Sequence, residues 1–137
     1  MGLVEKRIAA AMEKENFPTW TKMIKEACPG VKLSIDVEWY ELVKEGFADW
    51  YPKNVEYNFF KPLADALESI CGDDLGKEAF STKIKRIHIG SKRSWSSLQA
   101  KVEGDTLYLD GDPSYAKTQE DCRSYAKDVQ TVLENAL

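Results

Sequence analysis

The chain has 137 residues, 43% of them hydrophobic and 31% charged, with a net charge of -4, which predicts one globular domain over residues 1–137. That balance excludes a disordered polyelectrolyte, and a pI near 5.1 provides no global field for nucleic acid or anionic lipid. Nowhere do about 18 apolar residues run together, so no membrane-spanning helix is expected, and Glu5, Lys6, Arg7 and Glu13 interrupt any secretory-signal core.

Val4, Ile8 and Met12 recur at steps of four and predict a first helix over about 3–15, limited by Pro18. Trp20, Met23, Ile24, Ala27 and Cys28 form the stripe of a second helix over about 18–28, which Pro29-Gly30 should stop. Val31, Leu33, Ile35, Val37 and Trp39 then alternate with Lys32, Ser34, Asp36 and Glu38, the pattern of a strand over 31–39 with one apolar and one polar face. From Trp39 to Phe60 the chain concentrates eight of its fifteen aromatic residues, while Gly46 and Pro52 break any long element there.

Leu63, Ala66, Leu67 and Ile70 make another helical stripe that Gly72 can end, and a short helical turn over about 74–80 follows. Ile84, Ile87 and Ile89, then Leu98, Ala100 and Val102, then Leu107 and Leu109, are spaced for three strands, with Gly104-Asp105 at a hairpin reversal. A last helix over about 115–136 carries Cys122, Ala126, Val129, Leu133 and Ala136, and Thr118 with Asp121 suggests a later start. The order α-α-β-α-α-β-β-β-α predicts an α+β fold: a small antiparallel sheet of three to four strands with helices packed on one face. Where the 31–39 strand joins that sheet is left open by the pattern.

Cys28, Cys71 and Cys122 are odd in number and far apart, neither a disulfide framework nor a zinc signature. They are expected to be free, structural thiols in a reducing cytoplasm. No nucleophile stands beside a base, no glycine loop is built for phosphate, and no metal-ligand cluster occurs, so neither cofactor nor metal is expected. Asp105, Asp110 and Asp112 sit among glycines as turn residues, without the spacing of a calcium loop.

Three groups of residues carry what chemistry there is. Lys85, Arg86, Lys92 and Arg93, in the basic stretch 83–95 with His88 and Trp95, would make a weak anion or nucleic-acid site. Asp36 and Glu38 share a strand face about 7 Å apart and, with His88, would serve a small cofactor-free hydrolase. Phe47, Trp50, Tyr51 and Lys53 lie where glycine and proline prevent wholesale burial, and exposed Trp and Tyr beside polar groups are the material of protein-binding hot spots. The expected function is non-catalytic binding of another protein or a second copy of the chain, with nucleic acid and membrane unfavoured as partners and the hydrolase as the alternative.

Overall fold

A computed structural model of the protein describes residues 2–92, 98–113 and 118–137. Helix α1 (Leu3–Ala11), a π-turn (Met12–Asn16) and α2 (Phe17–Ala27) follow one another without a break. Pro18 therefore does not end the first helix. The N–H of Phe17 reaches back to Met12 O across the widened π-turn, and the proline that follows needs no N–H of its own in the first turn of α2. The same device recurs later: after α4 (Lys53–Val55) comes a second π-turn (Glu56–Phe60), closed by Lys61 N–H on Glu56 O, with Pro62 next inside α5 (Lys61–Ile70).

The four strands β1 (Ser34–Val37), β2 (Arg86–Gly90), β3 (Gln99–Glu103) and β4 (Thr106–Asp110) form one sheet in the order β1-β2-β4-β3. The fold class is α+β, as the sequence predicts, but the sheet is mixed rather than antiparallel. Only β3 and β4 run antiparallel, through the tight turn at Gly104, whose φ of 60° suits glycine. The connection over residues 91–98 lets β3 take the far edge and β4 return beside β2, parallel to it. A connection that long permits a skipped slot; a two-residue turn does not. β1 is parallel to β2 and lies at the opposite edge.

The first strand is also shorter than its alternation suggests. Leu33, Ile35 and Val37 do pack on the core, but Trp39 opens a helical turn, α3 (Trp39–Leu42). Likewise the short turn expected after residue 74 is a full helix, α6 (Asp74–Lys83), capped by the Asp73 carboxylate accepting from Gly76 N at 2.7 Å. The last helix, α7 (Gln119–Ala136), starts after Thr118, whose Oγ1 accepts from Asp121 N at 3.1 Å.

Ile87, Ile89, Leu107 and Leu109 are buried on one sheet face and join Phe59, Phe60, Leu63, Leu67, Val129 and Leu133 in a single core. Each such side chain contributes about 1.5–3 kcal/mol by leaving water. α5 packs against both α2 and α7 beneath that face. The thiols correct the expectation that all three are free: Cys28, at the end of α2, is disulfide-bonded to Cys71, at the end of α5, and only Cys122 is a free, buried cysteine. Helix packing brings two cysteines 43 residues apart into one place, which linear spacing does not reveal. The expectation of a reducing compartment thereby loses its premise.

Candidate functional site

The aromatic stretch divides into two parts. Val55, Phe59 and Phe60 are fully buried; Phe60 stacks on Trp20 with ring centroids 4.6 Å apart, and Trp20 Nε1 donates to Glu56 Oε1 at 2.8 Å. Upstream, Phe47 and Trp50 are half-buried, their rings 4.6 Å apart, on a single 3-10 turn (Ala48–Trp50). Lys53 is exposed, its Nζ 5.4 Å from the centroid of the Tyr57 ring. Asp49, Trp50, Lys53 and Asn54 line a shallow depression of about 250 Å3.

Tyr51 fastens this turn to the rest of the molecule. Its hydroxyl donates to Leu42 O at 2.7 Å and accepts from Lys44 N at 2.8 Å, so one phenol holds both sides of the segment after α3. Burial pushes the phenol up from its ordinary 10.0 to about 12; the Lys44 N–H opposes that rise and the Asp112 charge adds to it.

On the uncovered sheet face, strand register lines up Asp36, His88, Tyr108 and Lys101 in one row across all four strands. Glu38 Oε1 lies 4.0 Å from His88 Nε2, the His88 and Tyr108 rings are 5.6 Å apart, and Lys101 Nζ sits 5.5 Å from the Tyr108 centroid. A cleft of about 230 Å3 opens there, lined by Glu41, His88, Gly90, Lys92, Lys101, Tyr108 and Asp110. Two of its carboxylates hold backbone: Glu41 Oε1 accepts from Ser91 N at 2.9 Å and Asp110 Oδ1 from Lys92 N at 3.0 Å. A Cβ at Gly90 would stand 2.8 Å from Glu41 Oε1, so a larger residue there would have to displace the Glu41 carboxylate.

Folding thus joins Asp36 and Glu38 to His88 and adds Glu41, Tyr108 and Lys101, which sequence spacing did not bring in. The alternation of Leu107 and Leu109 turns Tyr108 away from the core; the parallel register that sets it beside His88 has no local signal. The basic residues do not converge to the same degree. The Lys85 ammonium donates to Ser81 O on α6, and Arg86 opens β2 while Lys92 follows its end, so the length of the strand, about 13 Å from Arg86 to Gly90 by its rise, lies between them. Arg93 lies outside the described residues, as does Trp95.

A third concavity, about 700 Å3, lies between the helical run and the end of β1. Ala9, Ala10, Glu13 and Lys14 form one wall; Val37, Glu38, Trp39, Tyr40 and Glu41 form the other. Tyr40 stands at it with 62% of its surface exposed. α1 packs on both α3 and the 3-10 turn that carries Trp50, so this groove and the aromatic turn flank the same helix.

Among the described residues, no three His, Cys, Asp or Glu side chains gather as metal ligands, and no helix is long and apolar enough to cross a membrane. Compared with known proteins, the chain matches no family model, no curated protein and no solved structure.

Proposed function

We propose that this protein acts by binding another protein or a second copy of itself, with the Phe47–Lys53 turn as a recognition surface. The observation that carries this reading is Trp50, half-buried on a turn that Tyr51 fixes through two hydrogen bonds. A large ring held in place before contact loses little freedom on binding, and Trp anchors dominate the energetics of many interfaces. Asp49 and Lys53 supply a polar rim around the depression. In sedimentation velocity and in quantitative capture from a lysate, Trp50→Ala is expected to weaken self-association or remove specific captured proteins while the thermal melt stays close to that of the parent. Unchanged association and an unchanged captured set would refute the reading.

A second reading, a small hydrolase, is favoured by one observation: His88 lies between Glu38 and Tyr108 in an open cleft. There His88 would act as general base on a water, with Glu38 stabilising its protonated form. Turnover of a p-nitrophenyl ester panel that disappears in His88→Ala would support it. Equal turnover by parent and variant would dismiss it.

A further inference from the structure

We propose that the outer edge of β1 and the adjoining groove receive an extended, lysine- or arginine-bearing segment of a partner protein, added to the sheet as a fifth strand. This inference rests on the protein-binding reading above and names the chemistry of the partner at a different place from Trp50.

The first support is the register at the edge. Ser34 N donates to Lys85 O at 3.1 Å and Glu38 N to Ile89 O at 2.9 Å, so the even-numbered residues of this segment turn their backbone groups toward β2. In a parallel pair the alternate residues face the other way, which turns the N–H and C=O of Ile35 and Val37 outward. β1 is the edge of the sheet, and among the described residues β2 is the one element packed closely along it. A sheet edge with outward N–H and C=O groups is a template for an incoming strand.

The second support is the shape and charge of the space next to that edge. The groove of about 700 Å3 begins at Val37, where β1 ends, and its helical wall presents Ala9 and Ala10, whose small side chains leave room for those of a ligand. Val37 and Trp39 offer apolar contact, and exposed Tyr40 offers a ring at the rim. Three acidic residues, Glu13, Glu38 and Glu41, line this space with one lysine, Lys14; Glu41 Oε1 also holds Ser91 N and Glu38 Oε1 lies 4.0 Å from His88 Nε2, which leaves Glu13 as the carboxylate of the groove without such a second partner among the described residues. A strand whose alternate side chains point into it therefore finds apolar walls and a negative field, which favours cationic side chains over anionic ones. A small cation would use the carboxylates alone; the outward backbone groups at Ile35 and Val37 are what select an extended peptide.

The test uses the full chain and three fluorescein-labelled octapeptides in which valine alternates with lysine, with serine or with glutamate. Anisotropy titrations should rank them lysine, serine, glutamate, and Glu13→Lys should weaken the lysine peptide by about tenfold. Amide exchange followed by NMR should show the N–H groups of Ile35 and Val37 slowed when the lysine peptide binds. Val37→Pro removes an outward donor without breaking a β1–β2 hydrogen bond, and with it a valine that packs on the core, and should abolish that binding; should it fail to fold, the exchange of Ile35 and Val37 in the parent decides instead. No saturable binding by any peptide, equal affinity for all three, or binding that leaves those two amides unprotected would overturn the proposal. Because Trp50→Ala reads the aromatic turn and Glu13→Lys reads the groove, either reading can fail while the other stands.

Discussion

The two halves of the aromatic stretch have nearly the same composition and opposite fates. In residues 55–60 the π-turn feeds directly into α5, so Phe59 and Phe60 are carried by a helix that packs against α2 and α7, and both are fully buried. In residues 47–51, after Gly46, a 3-10 turn is fastened by the Tyr51 hydroxyl, and Phe47 and Trp50 remain half-buried. Aromatic content alone does not distinguish core from surface; the element that carries each ring does.

If that division is right, substitutions should fall in order of effect from the buried half to the half-buried one. Phe60→Ala should be the most damaging, losing about 3–5 kcal/mol as a large ring leaves a cavity between Trp20 and Phe17. Chemical denaturation measures it. A loss below about 1 kcal/mol would mean that the two halves do not differ as described.

Next in size is the crosslink that ties the end of α5, and with it the buried half, to the end of α2. Cys71→Ser should destabilise by about 2–4 kcal/mol, since the bridge closes a loop of 43 residues in the unfolded chain. Melts with and without reductant test the point on the parent protein as well. A melt insensitive to reductant, together with two titratable thiols at Cys28 and Cys71, would remove the bridge from the account.

The tether itself comes third. Tyr51→Phe removes one donor and one acceptor from partly buried backbone, at a cost of about 1–2 kcal/mol, and it should loosen the 44–51 segment, read as faster exchange of the Lys44 amide. It also has a pH signature. The Tyr51 phenol is pushed up from 10.0 to about 12 and the Cys122 thiol from 9.0 to about 11, the thiol chiefly by burial and then by the Asp65 charge. Both folded values lie above the unfolded ones, so the unfolded chain releases these protons first as pH rises. Their stabilising effect is whole below about pH 9 and is lost progressively up to about pH 12. Tyr51→Phe should remove the part of that alkaline slope above pH 10, and Cys122→Ala the part between 9 and 11.

Much of this fold was legible, and the reasons separate cleanly. Period-two spacing located β2, β3 and β4, and Thr118 with Asp121 marked the start of α7, because each signal is local. The parallel pairings were not legible, since they depend on which slot the chain takes after residue 91. Pro18 reads as a helix stop because proline ordinarily is one; a π-turn just before it, as before Pro62, lets the helix continue. Of the site, Asp36, Glu38 and His88 were visible as residue types, whereas Glu41 and Lys101 enter only through register and the turn after β2. The groove beside β1 has no sequence signature at all: its walls are residues of ordinary helical and strand patterns that tertiary packing sets face to face.

The smallest effect on stability, and the most informative about function, is expected from Trp50→Ala. The Trp50 ring lies 4.6 Å from that of Phe47 and is half-buried, so its removal should lower stability by about 1 kcal/mol, the scale of an aromatic pair with partial burial. Phe60→Ala in the same assay provides the yardstick. If Trp50 is a recognition anchor, the binding loss in Trp50→Ala should exceed the stability loss, at about 2 kcal/mol or more, while Phe60→Ala should affect binding only through the fraction of protein left folded. A Trp50→Ala variant whose melt falls as far as that of Phe60→Ala would place Trp50 in the core with the rings downstream, and the contrast between the two halves would be gone.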